Sequence, residues 1–390
     1  MQAVILCAGK STRTYPLTVN KPKPLLKVMN KTLIEHNLEQ LTGLVDEVII
    51  VVGFKKEMLI ERVGNKFKIN YVIQKELNGP GGAIQLCKDF LKDKFIVLNG
   101  DDLYSRKDIE KCLKHKYCVM CKEVENPEIW GIFEIKNKKV VSFEEKPAKP
   151  KSNKGNIGIY VFDKKIFEHK LKKTSREEYE ITDYITYLIK KGEDVYCENV
   201  SDYWLPIGYP WHLLEANSFF LNKIRKSDIK GTIEKNVTIK GPVIIKKNTI
   251  IKSGTYIEGP AYIGESCVIG PNAYIRHGTT IENNCNIRAE VYDSIIMENT
   301  TAKHFSYIGH SVIGENVNIA AGTITSDYRH DAKNNITLIK GKKIDSGRRK
   351  LGAFIGDNVR TGIGTLIYPG RKIWPGKTTL PGDIVKKDIE

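Results

Sequence analysis

From residue 233 onward, isoleucine recurs with a period that belongs to neither a helix nor an ordinary strand. It stands at 233, 239, 245, 251, 257, 263, 269, 275, 281 and 287, each six residues after the one before. An amphipathic helix repeats about every 3.6 residues and a half-buried strand about every two. A triangular coil repeats every six when each flat face contributes one inward side chain, and every third hexad then returns to the same face. Two residues before each isoleucine from 245 onward sits a small or β-branched residue: Val243, Thr249, Thr255, Ala261, Cys267, Ala273, Thr279 and Cys285. The isoleucines are expected to stack in columns along the coil axis, each worth roughly 1.5–3 kcal/mol on burial. The register breaks near residues 292–301, resumes at Ile313 and Ile319, and resumes again at Ile355, Ile367 and Ile373. Residues 325–351 therefore read as a loop projecting from the coil, and long loops on rigid scaffolds commonly carry function.

The first half follows a different rhythm. Apolar runs at residues 3–7, 47–52, 69–73 and 95–98 alternate with helical patterns at 32–44, 56–63 and after Gly82. Such alternation argues for a largely parallel sheet covered by helices on both faces, with its ligand site at the strand C-termini. The period changes near residue 226, so the expected domains are residues 1–226, an α/β unit, and residues 227–390, a parallel β-helix. A chain of 390 residues is too long for one ordinary core, which agrees with two.

Composition narrows the class. With 41% hydrophobic and 28% charged residues, the chain is that of a soluble globular protein. No stretch approaches the roughly 18 apolar residues of a membrane span, and the opening Met1-Gln2-Ala3-Val4 carries no basic leader. The expectation is a cytoplasmic protein with no membrane partner. The eight cysteines are scattered, and Cys118-Val119-Met120-Cys121 is a lone CxxC inside a strand pattern. They read as buried apolar residues rather than a disulfide framework or a zinc site. The formal charge of +16 comes mostly from lysines spread along the whole chain. That spread reads as a solvated surface, and equally as an attraction for nucleotides, sugar phosphates and coenzyme A. It lacks the arm or stripe of a nucleic-acid site, so no nucleic-acid partner is expected.

After the first strand comes Leu6-Cys7-Ala8-Gly9-Lys10-Ser11-Thr12-Arg13, followed by Pro16-Leu17-Thr18 and Lys21-Pro22-Lys23-Pro24. A small-residue turn lets backbone N–H groups approach a phosphate chain, and Arg13 and Lys23 add cations. The block resembles the signature of sugar-1-phosphate nucleotidylyltransferases, broadly A-G-x-G-T-R followed by P-L-T and P-K. Ser11 stands where that family has its second glycine. Further stretches match in order: Gln74 with Gly79-Pro80-Gly81-Gly82-Ala83, Asn99-Gly100-Asp101, Trp130-Gly131-Ile132, Glu144-Glu145-Lys146-Pro147 and Asn156-Ile157-Gly158-Ile159-Tyr160. The resemblance implies a Rossmann-like fold in which Leu6, Ala8, Gly9, Gln74 and Gly79 bind the nucleotide. It further implies that Asp101 holds Mg²⁺ and that Gly131, Glu145, Lys146 and Asn156 hold the sugar phosphate. The nucleophile is a phosphate, already anionic, so the site needs alignment and charge neutralisation by Arg13, Lys23 and the metal rather than a general base. One position departs. The family's W-x-D-I-G-x-P is here Trp204-Leu205-Pro206-Ile207-Gly208-Tyr209-Pro210. Mg²⁺ would then rest on Asp101, substrate phosphates and water, and weak or altered nucleotidylyl transfer is the corresponding expectation.

Beyond Ile287 the coil carries Ala302-Lys303-His304-Phe305-Ser306-Tyr307-Ile308-Gly309 and Glu315-Asn316-Val317-Asn318-Ile319-Ala320-Ala321-Gly322-Thr323, then Asp327-Tyr328 and Lys333. These closely resemble the acetyltransferase domain of the bifunctional glucosamine-1-phosphate acetyltransferase/N-acetylglucosamine-1-phosphate uridylyltransferases, a left-handed β-helix of hexapeptide repeats. The resemblance implies that His304 is the general base and that Arg276, Arg288, Tyr307, Asn318 and Lys333 bind the sugar phosphate. Ala321, Tyr328 and Ile363 would line the acetyl-CoA channel. A histidine with an ordinary pKa of about 6.5 suits removal of a proton from an amine attacking a thioester. Asp327 departs from the asparagine of the bacterial pattern. The basic 325–351 segment, with Gly352-Ala353-Phe354-Ile355-Gly356 after it, looks more like the archaeal branch.

Together the resemblances imply a bifunctional enzyme that acetylates glucosamine-1-phosphate with acetyl-CoA, then makes UDP-N-acetylglucosamine from UTP with Mg²⁺. Other substrates stay open, namely galactosamine-1-phosphate, or dTTP with glucose-1-phosphate. A regulatory subunit with the same domain pairing is a third reading, against which Arg13, Lys23 and Asp101 count. Enzymes of this family build acetyltransferase sites between neighbouring coils, so a homotrimer or a multiple of one is expected.

Overall fold

The computed structural model describes residues 1–64, 68–174 and 177–390. By packing, these fall into two compact units: Met1–Lys10, Pro22–Leu25 and Leu33–Pro206 in one, and Ser11–Lys21, Leu26–Thr32 and Ile207–Glu390 in the other.

Among the described residues, nine strands of the first unit form one sheet. In chain order they are β1 (Gln2–Cys7), β2 (Glu47–Val52), β3 (Ile69–Ile73), β4 (Phe95–Asn99), β5 (Tyr117–Glu123), β6 (Gly131–Lys136), β7 (Lys139–Glu145), β8 (Lys154–Phe162) and β9 (Val195–Asn199). They lie in the order β3-β2-β1-β4-β8-β5-β9-β7-β6. The first four are parallel, as the apolar runs predict. β8 then runs antiparallel to both β4 and β5. Alternation divides each inner strand between two cores: Ala3 and Ile5 face one, Val4 the other, and in β2 Ile50 and Ile49 divide likewise. The helices Leu33–Leu41 and Lys56–Val63 cover the Ile5 side through Leu38 and Leu59. The short helix Pro80–Leu86 covers the Val4 side through Ile84. All eight cysteines are buried and free.

The second unit is a parallel coil. Its strands form three parallel sheets whose neighbours come from successive turns. Ile245, Ile263 and Ile281 pair in register on one face, Ile251, Ile269 and Ile287 on the next, and Ile257 and Ile275 on the third. All eight are fully buried and belong to one core. The small residues ahead of them are buried where the chain turns. The Thr249 hydroxyl donates to the Gly264 carbonyl at 2.6 Å and accepts from the Cys267 N–H at 3.0 Å, so it ties two turns together. Asn248, Asn272 and Asn284 take positive φ between those turns, a conformation asparagine tolerates better than most residues.

Two features refine the sequence expectation. The register breaks near 292–301 as expected, but the coil itself does not. Ile281 pairs with Ile296 and Ile287 with Ala302, each three residues short of a full turn, while Ile275 pairs with Val291, two short. The turns contract and the inward columns continue, so the six-residue count fails while the coil persists. Nor does the 325–351 segment simply project. Ile336–Ile339 and Lys342–Asp345 form a hairpin that docks on the coil, with Thr337 Oγ1 donating to the Gly370 carbonyl at 2.8 Å and Arg371 to that of Ile336 at 2.8 Å.

The N-terminal segments of this unit are held by charge. Lys21 Nζ lies 2.7 Å from Glu315 and 3.1 Å from Asp357, off the hydrogen-bond line with both. Lys27 Nζ lies 2.8 Å from Glu298 and 3.3 Å from Glu282. Burial pushes the Glu282 carboxyl up to about 7 despite the pull of Lys27, with Glu298 and Glu315 adding to the rise. An unfolded glutamate titrates near 4.3, so the folded chain retains this proton between about 4.3 and 7, and stability falls as pH rises through that window. Glu282→Gln should remove the loss. Thermal unfolding of the variant should show a higher Tm than the parent at about pH 8, with the gain shrinking toward about pH 4. A difference that did not vary with pH would contradict this assignment.

Candidate active sites

At the C-terminal end of β1, the chain turns through Ala8 and Gly9. A Cβ on Gly9 would meet nothing, so one side of the turn is open. The strand end itself is confined by two other glycines. A Cβ on Gly100 would lie 2.8 Å from the Leu6 carbonyl oxygen, and one on Gly53 would lie 2.8 Å from that of Ala8. The role of Gly53 was not evident from sequence; its signal is a glycine directly after the all-apolar end of β2. Just beyond β4, the Lys23 ammonium donates to Asp101 Oδ2 at 2.7 Å. Lys23 is buried and Asp101 is 40% exposed, so a cation is aimed from the interior at a carboxylate that still meets solvent.

The expected metal ligand thus fits as far as it goes. Asp101 Oδ1 is available, a single carboxylate that would need phosphate oxygens and water to complete octahedral Mg²⁺. No group of three metal-ligating side chains occurs among the described residues. In the two-stranded ribbon of Asp102–Tyr104 and Trp204–Pro206, Pro206 stands directly opposite Asp102. Asp102 is buried, and its Oδ2 accepts from the Trp204 indole at 3.1 Å. Asp202 lies past the other end of that ribbon, its N–H bonded to Asp108 at 3.0 Å.

Gln74 is buried, and its amide nitrogen donates to Asn78 Oδ1 at 3.0 Å and to the Gly79 carbonyl at 3.1 Å. That leaves Oε1 as an acceptor for a base N–H. Gly79 holds φ +93 with the Tyr179 carbonyl 2.6 Å from where a Cβ would be. Register brings together the four residues expected to hold a sugar phosphate. Glu145 pairs with Gly131 across β7 and β6. β8 pairs Gly155 with Ile132, which sets Asn156 beside Gly131. Lys146 follows at φ 50, its N–H on the Trp130 carbonyl at 2.9 Å.

Ser11 and Arg13 pack in the second unit. Ser11 adopts φ 51, the left-handed region that explains why a glycine suits this position. Its carbonyl accepts from the Thr14 hydroxyl at 2.7 Å and the Thr18 hydroxyl at 2.9 Å. The Arg13 guanidinium lies 5.8 Å from the Tyr209 ring centroid.

On the coil, the residues form two groups. Arg276 and Tyr307 lie on one face, separated by the rung that carries Glu290 and Tyr292. Arg276 pairs with Glu290 at 3.0 Å and sits 4.0 Å over the Tyr292 ring. Arg288 and Asn318 belong to the neighbouring face: the Arg288 N–H donates to Ala302, and Asn318 Oδ1 accepts from the Thr301 hydroxyl at 3.0 Å. His304 is exposed in the turn between the two faces and hydrogen-bonds to no described residue. Ala321 and Ile363 occupy adjacent turns, joined by the Gly364 N–H on the Ala321 carbonyl at 2.8 Å. Tyr328 lines an open groove of about 660 Å³ with Ile324, Leu366, Tyr368 and Ile384. Lys333 is exposed in the segment before the hairpin.

Residues 2–223 match the nucleotidyl transferase family, and residues 251–380 match the GMPPB C-terminal domain. The chain is 46% identical to the bifunctional protein GlmU of Methanocaldococcus jannaschii, with all of this chain and 96% of the relative covered. It is 40% identical to the bifunctional sugar-1-phosphate nucleotidylyltransferase/acetyltransferase of Sulfurisphaera tokodaii, covering all of this chain and 98% of that one. Among solved structures, a Bacillus anthracis protein described as a glucose-1-phosphate thymidylyltransferase, bound to sucrose, matches with a TM-score of 0.52. It is 30% identical over 56% of this chain and 94% of its own. The family match and the fold define a nucleotidyltransferase. The chain belongs to the family of bifunctional sugar-1-phosphate nucleotidylyltransferase/acetyltransferases that includes the archaeal GlmU proteins.

Gly131 offers a direct test of the expected sugar site. A Cβ there would lie 2.6 Å from Phe143 Cζ and 2.7 Å from Glu145 Oε2. Gly131→Ala should displace Glu145 and weaken sugar 1-phosphate binding by about tenfold or more, the scale of a lost charged hydrogen bond. Calorimetry with N-acetylglucosamine-1-phosphate as the probe reads this, and nucleotide affinity should hold.

Proposed function

We propose that this chain catalyses both closing steps of UDP-N-acetylglucosamine synthesis. The acetyl group of acetyl-CoA passes to the amine of glucosamine-1-phosphate, and uridylyl transfer from UTP then releases pyrophosphate. The observation that carries the reading is the end-to-end match to bifunctional relatives. The buried Lys23 aimed at Asp101 and the exposed His304 on the coil support it with suitable chemistry.

In the first domain, which we assign to residues 1–226, a phosphate oxygen of the sugar attacks the α-phosphorus. Lys23 and Arg13 counter the negative charge that accumulates there. Asp101 would hold Mg²⁺, which supplies charge neutralisation on the phosphates. Gln74 Oε1 accepts from the base, and Glu145 and Asn156 orient sugar hydroxyls. In the second, residues 227–390, we assign a left-handed hexapeptide β-helix. His304 takes the proton from the attacking amine as the thioester opens and CoA thiolate leaves. Arg276, Arg288, Tyr307, Asn318 and Lys333 hold the sugar phosphate, and Ala321, Tyr328 and Ile363 flank the acetyl-CoA path. Tyr328, Ile363, Leu366 and Ile384 are substantially exposed for apolar residues of one coil, which supports burial against neighbouring coils in a homotrimer or a multiple of it. No helix among the described residues is long and apolar enough to cross a membrane, and we place the enzyme in the cytoplasm. The likeness to a protein described as a thymidylyltransferase favours testing dTTP with glucose-1-phosphate as a second substrate pair, and galactosamine-1-phosphate beside glucosamine-1-phosphate.

Single substitutions should separate the two activities. His304→Ala is expected to lower acetyl transfer at least 100-fold, in keeping with the roughly 10²–10⁴ contributed by a general base, and to spare uridylyl transfer. Lys23→Ala should do the reverse. Loss of both activities from one folded variant, followed by mass spectrometry of the products, would contradict two independent sites.

Pro206 gives a further test. Pro206→Asp should lower the Mg²⁺ concentration for half-maximal uridylyl transfer and leave acetyl transfer unchanged. Because the new carboxylate faces Asp102 across the ribbon, like-charge repulsion should also lower the Tm modestly. An unchanged Mg²⁺ dependence would show that position 206 lies outside the metal's reach.

A further inference from the structure

Position 327, asparagine in the bacterial pattern, is aspartate here, and the structure supplies that carboxylate with two donors. Asp327 Oδ2 accepts from the Tyr307 hydroxyl at 2.9 Å and from His310 Nδ1 at 2.6 Å. His310 is buried, at 4% exposure, and lies edge-on to Tyr292 with ring centroids 4.7 Å apart. Its Nε2 faces Asp293 Oδ2 at 3.8 Å, and Asp293 in turn pairs with Arg348 at 3.2 Å. The imidazole is therefore set between two carboxylates from different turns of the chain.

Burial alone would raise the Asp327 carboxyl, but the hydrogen bond and charge of His310 and the bond from Tyr307 outweigh it and hold it below the usual range. An ionised carboxylate can only accept. Tyr307 must therefore give its one hydroxyl proton to Asp327, and what remains for a ligand is the lone-pair side of the phenol oxygen. An asparagine at 327 could instead donate to that oxygen and leave the hydroxyl proton to point outward.

We propose that His310 and Asp327 are positioning residues for acetyl transfer. His310 fixes Asp327, and Asp327 fixes Tyr307 as an acceptor, which directs it at a donor on the amino sugar, an amine N–H or a hydroxyl, rather than at a phosphate oxygen. The proposal rests on the reading of Tyr307 as a sugar-phosphate ligand given above. It goes beyond that reading in naming the polarity of the contact and two residues behind it.

The test uses the full chain, with KM and kcat for glucosamine-1-phosphate, KM for acetyl-CoA, calorimetric binding of glucosamine-1-phosphate, and Tm. Asp327→Asn should raise KM and the calorimetric Kd for the sugar phosphate about tenfold, the scale of one misdirected hydrogen bond, with KM for acetyl-CoA and Tm nearly unchanged. His310→Ala should raise the same KM and also lower Tm, because Asp327 is left with one donor. His310→Asn, whose amide can donate in place of Nδ1, should recover most of both. The double variant His310→Ala/Asp327→Asn should recover Tm but not KM, a split that a merely structural role would not give. Wild-type KM in Asp327→Asn and in the double variant would overturn the proposal, and Asp327→Asn decides the matter if His310→Ala fails to fold. A parent enzyme that acetylates no amino-sugar phosphate would overturn the functional reading itself, and this proposal with it.

Discussion

A parallel coil with three flat faces can bury only the side chains that point inward, one column per face, and that limit governs the second unit. The columns of isoleucine fill the interior with one branched shape repeated in register. Repetition then forces everything between the columns into a few forms. The chain must turn sharply after each short strand, which puts asparagine at positive φ and small residues beneath the turn. The backbone groups of each turn must find partners, which Thr249 supplies for one of them from its side chain. The core therefore fixes the geometry of the surface. Arg276 and Tyr307 keep their separation because the rung between them cannot move without displacing Val291 from the core.

The first unit solves the opposite problem, that of holding charge at the edge of an apolar sheet. β1 and its neighbours are too apolar to bind phosphate along their length, so polar groups gather where the strands end. Gly100 and Gly53 let backbone pass close to the end of β1, and the buried Lys23 delivers a cation there. Its partner there is Asp101, 2.7 Å away.

The period of six was legible in the sequence because the coil core accepts almost one residue type. The same strictness makes the break in register at 292–301 visible. Turns that contract by two or three residues shift the count, although Ile296, Ala302 and Ile308 still point inward. The parallel half of the sheet was legible in its apolar runs, whereas β6, β7 and β8 were read as sugar-binding stretches without their strand order. Their site residues, Gly131, Glu145 and Asn156, come together only through pairing of three strands, and no local pattern encodes that. His310 carries no local signal for a similar reason. It directly follows the 302–309 stretch but points at Asp327, seventeen residues on, and only the stacking of turns brings the two into contact.

The two departures from the family pattern differ in what surrounds them. At 327 a neutral amide has become a carboxylate, and two donors converge on the added charge, so the change is absorbed within a network that reaches Tyr307. At 206 a carboxylate has become proline, and its cross-strand neighbour Asp102 is already engaged by the Trp204 indole. Proline itself supplies no side-chain oxygen there. A compensated change of charge redirects hydrogen bonds and can alter what a site recognises, whereas an uncompensated loss weakens what the site holds. By this physical criterion the carboxylate at 327 is built into its surroundings, whereas position 206 offers no side-chain ligand beside Asp102.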